Sequence, residues 1–181
     1  MKYSNAWLKK EIESGKHIEY LFFWGHTPKK ESIIDRSCFS QWYPSPFEKD
    51  GLIYPTAEHW MMAKKAILFN DEEILPKIIG ASKPAIAKAL GREVKNFDAG
   101  KWTSAAYQIV IDGNYLKFSQ HDALKKFLLQ TNNKVIVEAS PVDAIWGIGL
   151  AHDHKHASNP FHWRGTNLLG CALMEVRDML R

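Results

Sequence analysis

Glu58 and Lys65 stand seven positions apart in the run TAEHWMMAKKAILF, Thr56 to Phe69. At about 100° per residue, a helix over this run puts Glu58, Met62, Lys65 and Phe69 on one stripe and leaves Lys64 well off it. Ordinary amphipathic patterning keeps an acid and a base off an otherwise apolar face. Either the two are a buried structural pair, or a pocket opens there, and the pocket is the reading preferred here. A carboxylate in such a pocket can move protons. A lysine can act as a fixed cation or, when neutral, as an amine nucleophile. Its side chain tilts toward the helix N-terminus, so Lys65 is expected to approach Glu58.

Other residues carry chemistry of a less committed kind. Trp102 and Trp146 offer faces on which a base can stack, with core filling as the alternative. Trp146 lies in WGIG, between Gly147 and Gly149, in a polar loop. Arg92 follows the helix stop expected at Gly91 and suits bidentate phosphate contacts. Asn167, at the start of the last helix, offers amide and backbone donors, and Ser40 offers a hydroxyl. Their plain alternatives are a surface arginine, a helix cap and a turn serine. His152, Asp153, His154 and His156 resemble a metal cluster by count, but their spacing lacks a defined fourth ligand, so a solvated loop or lid is expected and no metal. Cys38 and Cys171 form neither a metal motif nor a disulfide framework, and read as packing residues of a protein in a reducing compartment.

The elements that must position these residues follow from punctuation and period. A helix is expected from Tyr3 to Ser14 with Gly15 as its stop, then a strand from His17 to Trp24, and a loop from Gly25 to Arg36. Cys38 to Phe47 reads as an extended edge segment because of Pro44 and Pro46. Lys49-Asp50-Gly51 is a turn and Leu52 to Tyr54 a returning strand. Thr56 caps the Glu58 helix. Asp71 is expected to cap a short helix ending before Gly80, and Ser82 to cap another that Gly91 ends. Trp102 to Phe118 and Asp122 to Leu129 are helical, Lys134 to Ala139 is a buried strand, and Pro141 to Gly165 is a long loop. The final helix runs from Thr166 to Leu180, with Leu169, Leu173, Val176 and Leu180 facing the core. The whole reads as one helix-rich α+β domain with a small β-sheet, spanning 1–181.

Composition narrows the function. The chain has 181 residues, of which 45% are hydrophobic and 24% charged, as in ordinary globular proteins. A net charge of +4 suits an anionic ligand, but the basic residues are scattered, which disfavours a dedicated nucleic-acid binder. Charged residues near the N-terminus exclude a signal peptide, no run is long enough to span a membrane, and a cytoplasmic location is expected.

Taken in order, CFSQWY, TAEHWMMAKKA, Gly91-Arg92, the Trp102 helix, VEASPVDAIWGIG and NLLGCALMEVR resemble the NADAR, or YbiA-like, family from about Phe22 to Leu180. The resemblance rests on several blocks in one order, which carries far more than any single piece. It implies a YbiA-like fold and an N-glycosidase that cuts the C1′–N bond of a phosphorylated ribose. One branch of the family acts on ribosylamino-pyrimidine phosphates of riboflavin synthesis. Another removes ADP-ribose from guanine bases in nucleic acid. The alternative is a non-catalytic module binding ADP-ribose or an NAD derivative. No metal, cofactor or membrane partner is implied. The resemblance gives Glu58 the acid/base role, with Asp143 as second carboxylate and Lys65 as cation or nucleophile. Phe39, Ser40, Arg92, Trp102, Trp146, Gly147 and Asn167 become substrate-binding candidates. The chain departs from the commoner pattern at Gln41, where many members have Asn, at Ala106, and in the lengthened segment 151–162.

Overall fold

The computed structural model describes residues 1–30 and 33–181. Its contacts divide the chain into two compact units. Met1–Ser40 and Ala123–Arg181 form the first, and Gln41–Asp122, contiguous in sequence, forms the second. The fold is helix-rich α+β, with two small two-stranded sheets among the described residues where one was expected.

The first unit begins with α1 (Asn5–Glu13), whose Ser4 side chain accepts the Trp7 N–H, and the chain turns off it at Gly15 with φ +84°. The expected His17–Trp24 strand shortens to β1 (Tyr20–Phe23). The expected loop at 25–36 includes residues 31 and 32, which lie outside the described residues. The segment read as extended from Cys38 opens instead with a 3₁₀ turn, Arg36–Phe39. The cause is local: the Asp35 carboxylate accepts the Ser37 N–H at 2.9 Å and starts the turn. Helix α6 (Asp122–Leu129) leads to β4 (Val135–Glu138), which pairs in parallel with β1, Tyr20 against Val135. The loop after β4 contains a second 3₁₀ turn, Pro160–His162, and ends at α7 (Leu168–Met179). Leu169, Leu173 and Val176 are buried as their spacing predicts, and α7 packs on β4.

In the second unit, β2 (Phe47–Lys49) and β3 (Leu52–Tyr54) form a hairpin. Asp50 and Gly51 both have positive φ, 55° and 77°, as a two-residue primed turn requires. Phe47 and Tyr54 pair across it and pack against Trp60 of α2 (Ala57–Leu68), with ring centroids 6.0 and 5.0 Å from the indole. Helices α3 (Leu75–Ile79), α4 (Pro84–Arg92) and α5 (Ala99–Ser119) complete the unit, and α2 packs against all three.

Two caps differ from expectation. Asp71 does not cap α3 directly; its carboxylate accepts N–H groups of Ile74 and Lys95, tying the turn before α3 to the segment after α4. Lys83, not Ser82, occupies the N-cap of α4, because Pro84 takes the first helical position. Two glycines allow close approaches to α2. A Cβ on Gly91 would lie 2.1 Å from Met62 Sδ, and one on Gly113 would lie 2.4 Å from Trp60 Cδ1. Gly91 is therefore needed for packing in the last turn of α4, which ends one residue later than expected, at Arg92.

Candidate active site

The start of α2 is built to hold a buried carboxylate. Thr56 adopts extended backbone, and its hydroxyl faces both the backbone N–H of His59, at 3.4 Å, and His59 Nδ1, at 2.8 Å. His59 Nε2 meets the Ala81 carbonyl at 2.9 Å. A carbonyl only accepts, so the imidazole carries its proton on Nε2, and Nδ1 accepts from the Thr56 hydroxyl. Burial holds the His59 pKa below its ordinary value, with the Ala81 carbonyl acting the other way. The neutral ring thus locks the first turn. Glu58 sits in that turn, 5% exposed, and its backbone N–H donates to the Gln41 carbonyl at 2.9 Å. The positive end of the helix dipole favours its carboxylate.

Lys65 lies in the last turn of α2, on the same stripe, about 10 Å further along the axis. Its amine does not turn back to Glu58. Nζ donates to the Gly91 carbonyl at 2.6 Å, and lies 4.3 Å from the Phe97 ring centroid and 5.6 Å from that of Trp102. Among the described residues Lys65 makes no ion pair, so the buried Glu–Lys pair is not the arrangement found. Burial lowers its pKa. Lys64 points elsewhere, over the Trp60 ring at 4.4 Å. Of the expected phosphate and base contacts in this unit, Trp102 is half-buried beside Lys65, and Arg92 is exposed at the last turn of α4.

The second unit also contains polar residues that the sequence reading passed over. Asn114 and Lys117 of α5 are both fully buried. Asn114 Oδ1 accepts from Gln41 Nε2 at 3.1 Å, and its Nδ2 donates to the Val110 carbonyl. Gln41 therefore ties α5 to the peptide of Glu58. Lys117 packs its ammonium against the rings of Tyr43 and Phe118, at 5.5 and 5.2 Å. The available signal was their spacing: polar residues at i and i+3 on the stripe of α5 that otherwise carries Val110, Gly113 and Phe118.

In the first unit, Asp143, Trp146, Gly147 and Asn167 come together as one folded loop. Asp143 Oδ1 accepts the N–H groups of Ile145, at 2.8 Å, and Trp146, at 2.7 Å. One oxygen of this carboxylate is thus engaged in shaping the turn that presents the half-buried Trp146. A Cβ on Gly147 would lie 2.9 Å from the Glu138 carbonyl, so only glycine fits against the end of β4. Asn167 has φ +53° and latches that strand from the other side. Its Oδ1 accepts the Glu138 N–H at 2.9 Å and its Nδ2 donates to the Ile136 carbonyl at 3.0 Å. The first N–H groups of α7 are taken as well, by the carbonyls of Ile145 and Trp146. Both sets of donors expected to receive a phosphate therefore serve the loop and the strand. Phe39 is fully buried between Phe23 and Phe127, with centroids 5.6 and 5.5 Å away. The Ser40 N–H closes the 3₁₀ turn on the Ser37 carbonyl.

The His-rich segment stacks its imidazoles. His156 and His162 lie 4.3 Å apart at 24°, with His154 5.6 Å from His156. Burial, then the charges of His162, Lys155 and His154, lowers the His156 pKa. Among the described residues no group of three His, Cys, Asp or Glu is placed to hold a metal ion.

On α2 a buried glutamate opens the helix and a half-buried lysine of lowered pKa closes it. Comparison with known proteins places the chain in a family. Residues 22–181 match the NADAR domain, and the chain belongs to that family. It is 43% identical over 165 residues to an N-glycosidase of Acanthamoeba polyphaga mimivirus, covering 88% of this chain and 95% of the relative. It is 34% identical over 146 residues to the N-glycosidase YbiA of Escherichia coli, covering 81% of each. The NMR structure of the E. coli protein YbiA superposes with a TM-score of 0.72 at 31% identity, covering 90% of this chain and 84% of that one.

Proposed function

We propose that the chain is an N-glycosidase that hydrolyses the C1′–N bond of a phosphorylated ribose. Its substrate is either a ribosylamino-pyrimidine phosphate or an ADP-ribose linked to guanine. The observation that supports the reaction most directly is the face of α2, with a buried carboxylate in its first turn and a half-buried amine of lowered pKa in its last. The relatives named N-glycosidases support the same class.

In this reading Glu58 manages protons. As C1′–N stretches, positive charge grows on the ribose, and the carboxylate offsets it. The bonding pair leaves with the base nitrogen, which takes a proton. Water adds to C1′ and gives its proton to Glu58, which passes it to the departing base nitrogen. In the covalent route Lys65 takes the place of that water: its lowered pKa raises the neutral fraction able to add to C1′ of the ring-opened glycoside, the protonated base leaves as the imine forms, and water then hydrolyses the imine to the aldehyde and the free amine. Gly91, Phe97 and Trp102 hold the amine for that step. In the first unit, Asp143 and Asn167 shape the loop that carries the half-buried Trp146. The proposed setting is the reducing cytoplasm. No helix among the described residues is long and apolar enough to cross a membrane, and neither Cys38 nor Cys171 is in a disulfide.

The test is product analysis after incubation with a ribosylamino-pyrimidine phosphate and, separately, with ADP-ribosylated guanine. The expected result is release of the free base from one of them by the wild type and not by Glu58→Gln. Tight binding of ADP-ribose with both adducts left intact would make the chain a binding module instead.

A further inference from the structure

A cleft lies within the first unit, and none of its lining residues is among those assigned to the reaction. Its volume is about 510 Å³, within the usual range for small-molecule sites. Tyr3, just ahead of α1, and Trp7 of α1 form one wall, with ring centroids 4.7 Å apart and planes at 79°. Lys16, Glu19 and Lys134 line the rim, and Arg177 of α7 lines the cleft.

Arg177 is the informative member. It is 2% exposed, yet among the described residues its guanidinium makes no ion pair. Its Nη1 donates only to neutral oxygens, Thr131 Oγ1 at 2.9 Å and the Lys134 carbonyl at 2.8 Å, and its buried Nε has no partner. The adjacent Asp178 is committed to Lys2 and to the Tyr3 hydroxyl. Burial, and then the charge of Arg181, holds the Arg177 pKa below its ordinary value, with Tyr3 and Asp178 acting the other way. A buried cation whose nearest carboxylate is already engaged elsewhere is costly and rare. An anion entering the cleft supplies a counter-charge. At the rim, the acid Glu19 lies 3.7 Å from Lys134, and Lys16 pairs with Glu11. These exposed pairs are weak and can re-form around a ligand. The cleft is several times larger than a bare phosphate requires, and its aromatic wall offers a planar ring a stacking surface.

We propose that this cleft binds a small organic anion, a phosphate or carboxylate carried on a planar ring, with Arg177 as its fixed counter-charge. The site is independent of the glycosidase reading.

The test uses the full chain, with adenosine 5′-monophosphate, adenosine and inorganic phosphate as probes. The reporters are the indole N–H of Trp7 and the Nε–H of Arg177 in ¹H–¹⁵N spectra. Saturable shifts of both with adenosine 5′-monophosphate are expected, with adenosine and phosphate each binding at least several-fold more weakly. Arg177 supports the Thr131 turn, so its replacement endangers folding. The variant of choice is therefore Lys16→Ala with Lys134→Ala, both side chains being solvent-exposed. Affinity should fall about tenfold, the order expected for two rim charges lost together. The proposal is overturned if neither reporter shifts at millimolar nucleotide. It is equally overturned if adenosine or phosphate alone binds as well as the nucleotide, or if the double variant keeps wild-type affinity.

Discussion

The amine of Lys65 meets a carbonyl and two aromatic faces, and no carboxylate. The carbonyl and the rings favour the ammonium, while removal from water favours the amine, and burial prevails because the pKa is lowered. Two consequences follow. If the amine is the nucleophile, kcat/KM rises with pH through the lowered pKa, and Lys65→Arg, which keeps the charge and loses the nucleophile, drops kcat by about 10² or more. Borohydride should then trap a covalent adduct on the wild type during turnover. If Lys65 acts only as a cation, Lys65→Arg retains most of the rate and nothing is trapped. The same shift has a stability sign. Between the lowered pKa and 10.5 the unfolded chain binds more protons than the folded one, so Lys65 makes stability rise with pH across that window. Below it, the penalty of a half-buried ammonium is fully present. Denaturant midpoints of wild type and Lys65→Met against pH give the comparison, and the wild-type slope should be the steeper. Gln41 makes a further prediction. Because it joins the Glu58 peptide to Asn114, Gln41→Ala should lower kcat about tenfold with KM little changed, as expected for a residue that positions the carboxylate.

Helix α2 shows how much of the second unit was legible and where legibility stopped. Thr56 as cap and the shared stripe of Glu58 and Lys65 follow from residue type and period, and the helix runs as the pattern said. The destination of the Lys65 amine did not follow, because Gly91 reaches it only once α4 packs on α2. The same holds for Asn114 and Gln41, and for Asn167, whose amide is spent on a strand that lies far back in the sequence. Local chemistry misled in two places: the prolines near Phe47 masked the Asp35-capped turn before them, and Ser82 proved one position early. Gly113 gives the element-scale test. Alanine there gains about 1 kcal/mol in helix propensity but drives a methyl into the Trp60 ring, whose Nε1 is held by the Ile109 carbonyl at 2.8 Å. Overpacking of this kind costs about 1–3 kcal/mol, so Gly113→Ala should lose up to about 2 kcal/mol net in urea unfolding. A gain would show that the ring yields freely.

The whole chain carries a net charge of +4, and its proposed substrates carry phosphate. Attraction of this kind speeds encounter and is screened by salt. Raising ionic strength from about 50 to 500 mM should therefore lower kcat/KM by about two- to fivefold while leaving kcat nearly unchanged. A kcat that falls as steeply would place the salt effect in the chemical step. The parallel pair of β1 and β4 has a different consequence. Tyr20 finds its partner at Val135, over a hundred residues later, and the entire Gln41–Asp122 unit is written between them. A ribosome delivers the chain from its N-terminus. The intervening unit has all its helices and its hairpin in hand while β1 is still exposed and without its neighbour. Long-range pairing closes slowly, so the nascent chain passes through a stage in which an apolar YLFF strand waits, and that interval is where a chaperone has most to do for this molecule.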